Sequence, residues 1–237
     1  MVLPGLQLGV FETIKTTILS GFYALPFLLI IITGFLGTIT SNVGLLILFV
    51  GQVLVVPLLQ NLLFFVRNTK TFSDIARLGA VPKLDPLCSL VPDKSAKGSF
   101  SSPITTYWMA EICFFFGFIL ANAYTVYILE PEKGASPGPV ENRKAQAMIS
   151  MLISLAVFVG LLALYKTISK CETTGSFITA LVVFITAGIV WFAFDVQCGI
   201  KQADIFGVAS KIHTIGPDEG QYPSVCVPVK NETCKKA

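Results

Sequence analysis

Charge is what this chain has least of. Only 13% of its 237 residues are Asp, Glu, Lys or Arg, while 54% are hydrophobic; an ordinary soluble domain carries about 25% charged and roughly 45–50% apolar residues. Histidine is almost missing too: His213 is the sole one, in a hydrophilic stretch with no serine or cysteine at a diagnostic distance. That excludes histidine-assisted nucleophilic chemistry inside the apolar regions. There is no G-x-S-x-G elbow, no Gly-rich phosphate cradle and no H-E-x-x-H pair. Six cysteines without any C-x-x-C are too few for a disulfide scaffold and lack zinc-site spacing. The formal charge of +3 is spread over several segments, so no basic face invites nucleic acid. The expectation is a protein that is not an enzyme, needs no cofactor or metal, and has no nucleic-acid partner.

What the chain does have is long uncharged runs. Between Lys15 and Arg67 there is no charged residue, and a single helix of that length would reach about 75 Å, more than twice a hydrocarbon core. It has to fold back, and the polar stretch Thr38-Ile39-Thr40-Ser41-Asn42 is where it would. Spans are therefore predicted at 18–39 and 43–66, joined as a helical hairpin. Three further runs follow, at 107–129, 148–165 and 176–196, the fourth able to begin earlier, near Ala145. Each is about the ~20 residues that a spanning helix needs. Helices are preferred to membrane strands because the runs are continuous rather than alternating, and because a helix satisfies its own backbone in lipid. The predicted fold is all-α, a polytopic bundle of about five spans.

The chain divides accordingly into an N-terminal segment with a hairpin (1–66), a Pro-rich hydrophilic loop (67–106), a three-helix membrane region (107–196) and a hydrophilic tail (197–237). Within the loop, Thr71-Phe72-Ser73-Asp74 has capping-box-like spacing and predicts a short interfacial helix ending at Gly79. In the tail, Val225, Val227 and Val229 alternate as one strand would. The start of the chain has no Gly at position 2 and no cleavable leader pattern, so the first run is expected to be an uncleaved anchor.

Five spans place the termini on opposite sides. Near the membrane, Lys15, Arg67, Lys70, Arg77, Lys94, Lys97, Lys166 and Lys170 then share the side of the N-terminus, against Lys133, Arg143, Lys144, Lys201 and Lys211 on the other. The positive-inside rule makes the N-terminus cytoplasmic and the tail exoplasmic or lumenal. Asn231-Glu232-Thr233 would then be a glycosylation acceptor, and two of Cys198, Cys226 and Cys234 a disulfide pair. A three-residue acceptor pattern also arises by chance, and three cysteines leave one thiol over.

Glu111 is the side chain to explain, because it lies about one turn inside the third run, where a carboxylate is costly. It reads either as a proton or ion site, or as a residue just beneath a headgroup belt of Tyr107 and Trp108 that pairs with Arg67 or Lys166. The second reading needs no ligand and is preferred. Asp195 is at the opposite end of its run, so the two acids cannot act as a pair. Gln52, Gln60 and Asn61 in the second run and Asn122 in the third read as a pore lining or, preferably, as hydrogen bonds between helices. Pro26 and Pro57 should kink the first two spans. Gly34-x-x-x-Thr38 and Gly117-x-x-x-Ala121 offer small surfaces for close packing.

The stretch Ser102-Pro103-Ile104-Thr105-Thr106-Tyr107-Trp108-Met109-Ala110-Glu111, continuing through Phe114-Phe115-Phe116-Gly117 and Asn122-Ala123-Tyr124, resembles membrane proteins of large icosahedral DNA viruses of the chlorella-virus type. It covers about a tenth of the chain and brings no catalytic motif with it. The resemblance implies a place in the virion's internal membrane, or in a host endomembrane. It further implies a structural role as a minor capsid protein, tying the shell to the bilayer through 67–106 and 197–237. The alternative expectation is a small membrane channel or carrier using Glu111 and Asn122.

Overall fold

The computed structural model describes residues 4–67, 105–129, 137–168, 174–197 and 205. Among them there are helices and no strands, and five helical segments are long and apolar enough to cross a membrane: Leu19–Thr40, Val43–Leu63, Tyr107–Ile128, Val140–Ile168 and Thr174–Val196. The chain is an integral membrane protein built as a helical bundle. The proposed interfacial helix at 71–78, the alternating valines of the tail, and the candidate disulfide and glycosylation residues Cys198, Cys226, Cys234 and Asn231 lie outside the described residues.

The first helix, Pro4–Thr40, ends in a tight reversal whose chemistry is local. Ser41 adopts a left-handed conformation with φ 53°. Its N–H bonds to the Thr38 carbonyl and the next N–H, of Asn42, reaches back to Gly37 at 3.0 Å. This pair of bonds is the Schellman arrangement, which satisfies carbonyls that a helix end would otherwise leave bare. Asn42 then serves the next helix as well, its side chain accepting the Leu45 N–H at 3.1 Å. A two-residue link therefore closes one helix and caps another. Behind it, Gly37 lies against Leu46 and Gly34 against the Phe49 ring, so the hairpin arms meet over glycine.

The second span is one helix with a π turn inside it: Val43–Val50, the π turn Gly51–Val55, then Val56–Arg67. The Val56 N–H bonds to the Gly51 carbonyl five residues back. Pro57 follows at once and has no N–H to give, so the wider turn is the local adjustment that lets the helix carry a proline within lipid. The third span, Tyr107–Ile128, starts at Thr106, whose hydroxyl accepts the Met109 N–H at 3.3 Å. The fourth helix begins at Pro137 and runs to Ile168. Its helical start is eight residues ahead of even the earlier limit anticipated near Ala145. Glu141, Asn142, Arg143 and Lys144 are polar but tolerate helix, so hydropathy marks where lipid begins and not where the helix does. Proline at its first position fits, because that N–H has no partner in any helix.

The third span is the hub. It is the least hydropathic of the five, yet 67% of its most apolar stretch is buried, against 11–28% for the others. In lipid the apolar faces turn outward and the span with more polar residues goes inside. Phe27, Ile31 and Phe35 on the first span and Leu54, Leu58 and Leu62 on the second project outward at helical spacing. The third and fifth spans cross at backbone contact. A Cβ at Gly117 would come within 2.5 Å of the Ile185 carbonyl oxygen, and one at Gly188 would fall on the Phe114 carbonyl. Phe114, Phe118 and Phe184 are wholly buried, with the Phe118 and Phe192 rings edge to face at 5.2 Å.

Candidate functional site

Most exposed side chains along the membrane-spanning stretches are apolar, so the polar groups that lipid makes costly to bury are the ones to explain. They collect at two ends of the bundle.

At the end where the third span begins, an aromatic and hydrogen-bonded joint ties three spans together. The Trp108 indole N–H donates to the Phe22 carbonyl at 2.9 Å, and its ring stacks on Tyr165 with centroids 4.4 Å apart. The Tyr165 hydroxyl shares a 2.8 Å hydrogen bond with Thr106, the residue that caps the third helix. Trp108 is buried among the spans, where a carbonyl of the first span and the ring of Tyr165 satisfy its polar edge and one face. Phe114 and Phe116 are buried packing residues.

One turn further in sits Glu111, with no exposed surface. Neither carboxylate oxygen has a hydrogen-bond partner. The polar groups nearest to it are Tyr107, four residues earlier on the same helical face, and Gln52, from the π turn of the second span. Gln52 is itself fully buried and held at its oxygen, which lies 2.9 Å from the donating Thr33 hydroxyl of the first span. Its Nε2 has no hydrogen-bond partner. Thr33, Gln52, Tyr107 and Glu111 thus form a polar cluster at the junction of three spans. The expected ion pair with Lys166 is not formed: that lysine is exposed, and as a long cation near its helix end it reaches outward to water more cheaply than it could enter the bundle. The Arg67 side chain lies outside the described residues.

The other end holds Asp195, also without exposed surface and with both oxygens unpartnered. Arg143, 2% exposed, caps the third helix by donating to the Leu129 carbonyl. The Asn42 amide donates to the Ile205 carbonyl at 3.4 Å, which brings chain beyond the fifth span over the hairpin turn. Asp195 and Glu111 stand near opposite ends of spans that run in the same direction, so no shared two-carboxylate site exists. Asn122 is buried on the third span, Gln60 is half-buried with its Nε2 unpartnered, and Asn61 is exposed. These amides do not line up as one stripe. Among the described residues no group of three or more His, Cys, Asp or Glu converges as a metal site would require.

Sequence reading missed Thr33 and Tyr165. Thr33 is the one polar side chain in the middle of the first run, which was a signal; Tyr165, at the end of an apolar run, carried none. Neither a protein-family model, nor a curated protein, nor a solved structure matches the chain. Fold and site together define a class, the polytopic helical membrane protein with a carboxyl buried between spans.

Proposed function

We propose that the chain is a structural protein of a viral internal membrane or a minor capsid protein, one that anchors a capsid shell to the bilayer. The observation that carries this reading is the closed centre of the bundle. Between the two polar ends, the interior is filled by Phe114, Phe118, Phe184 and Phe192 in van der Waals and edge-to-face contact. Such packing suits a rigid anchor better than a permeation path. The segment that carries the resemblance to virion membrane proteins includes the helix on which the others pack. In this reading the hydrophilic stretches 67–106 and 197–237 make the contacts to neighbouring proteins. In this reading the N-terminus faces the cytoplasm and the tail the exoplasmic or lumenal side.

Crosslinking in intact particles should join residues of 67–106 and 197–237 to capsid proteins, and absence of the chain from purified particles would remove the proposal. The orientation is checked at Asn231: a glycosidase-sensitive mass shift is expected if the tail is lumenal in an endomembrane.

One observation favours a second reading, a small carrier: Glu111 is a buried carboxyl that no described side chain neutralises. Reconstituted vesicles should then show a cation flux that Glu111→Gln abolishes, and no flux in the wild-type protein would dispose of it.

A further inference from the structure

An ionised carboxylate held in hydrocarbon needs a compensating positive charge close by. Lys and Arg are the usual sources, and none among the described residues supplies it. The groups that face Glu111 are the Tyr107 phenol on its own helix and the Gln52 amide from the second span, with Thr33 of the first span behind Gln52. Trp108 and Tyr165, a turn away, are occupied with Phe22 and Thr106. Lys166 of the fourth span is exposed.

The chemistry of these neighbours is informative. A lysine would fix one charge state, whereas a phenol and a primary amide can each donate or accept a hydrogen bond. Turned one way, Gln52 offers N–H to a carboxylate; turned the other, it offers a carbonyl oxygen to a carboxylic acid proton or to a small hard cation. The oxygens of Glu111, Gln52, Tyr107 and Thr33 are the donor type that alkali-metal ions take. Gln52 also sits within a π turn, where the helix is held by wider and fewer bonds than an α turn supplies.

We propose that Glu111, with Gln52 and Tyr107, forms an intramembrane site for one exchangeable monovalent cation, a proton or an alkali-metal ion, reached from the face where the third span begins. Exchange is balanced: an alkali-metal ion entering the carboxylic acid form releases one proton to that face and leaves a carboxylate–metal pair. The site does not depend on whether the bundle is an anchor or a carrier.

Infrared difference spectroscopy of the full chain in lipid vesicles reads the proposal through the stretching band of the protonated carboxyl. Sodium would replace N-methylglucammonium at constant pH, and pH would be varied separately. If the band falls as sodium enters and is lost in Glu111→Gln, the occupant is sodium. If the band follows pH but ignores sodium, lithium and potassium, the occupant is the proton. Either result supports an exchangeable site. Carbon-13 glutamate in the wild-type protein should shift the band without any substitution, and Asp195→Asn should leave it in place. A band that moves with neither pH nor cation, or that persists in Glu111→Gln, overturns the proposal.

Discussion

Gly188 of the fifth span rests on the carbonyl of Phe114 in the third, with no room for a Cβ between them. With the reciprocal contact, Gly117 against Ile185, this crossing has a small residue on each side meeting the other span's backbone. Since both obstacles are backbone, an added methyl can only be accommodated by separating the helices.

Gly188→Ala and Gly117→Ala should each therefore destabilise the bundle by about 1–3 kcal/mol, the usual cost of overpacking. Gly160 and Gly21 meet nothing within 4 Å, and alanine there should be neutral or stabilising by about 0.5–1 kcal/mol through helix propensity. Titration with sodium dodecyl sulfate in mixed micelles, followed by circular dichroism, separates the two classes. Equal effects at all four positions would refute the close crossing.

The hairpin turn gives a prediction of opposite sign. Ser41 holds a left-handed φ that glycine adopts freely. Ser41→Gly should stabilise the protein by about 1 kcal/mol, while Asn42→Ala, which removes the helix cap, should cost about 1 kcal/mol. The same unfolding assay decides.

The joint between third and fourth spans is testable as a pair. Thr106→Val loses both the bond to Tyr165 and the cap on Met109, whereas Tyr165→Phe loses only the former. A double-mutant cycle should return a coupling of about 0.6 kcal/mol, typical of hydrogen bonds between membrane helices, with Thr106→Val the more damaging single change. Zero coupling would mean that the two hydroxyls do not meet.

Thr33→Val tests whether the first span positions Gln52. It removes the 2.9 Å bond to the amide oxygen with little change in volume. Stability should fall by about 0.6 kcal/mol, and the protonated-carboxyl band of Glu111 should shift because its amide neighbour can reorient. An unmoved band would sever Thr33 from the site.

The spans were legible in the sequence because lipid imposes a coarse rule: a long uncharged run must become a helix that satisfies its own backbone. The reversal near Ser41 was legible for the same reason, since a run too long for one crossing must turn where it is most polar. Helix ends were less so. The fourth helix starts at Pro137, eight residues before the earlier limit that the sequence offered near Ala145. Glu111 was legible as anomalous but not in its surroundings, because Lys166 and Gln52 are both far from it in sequence and only packing brings one of them inward.

Composition and order of residues alone determined that this polypeptide lives in a bilayer and crosses it as helices, since burial of apolar surface in lipid depends on runs and not on partners. Which span becomes the hub, why Trp108 faces inward, and that a carboxyl ends beside an amide and a phenol with no cation of the described residues at hand were decided by tertiary structure. Those outcomes depend on glycine contacts such as Gly188 on Phe114, which set the helix spacing, and spacing is a property of two surfaces meeting that no single segment contains.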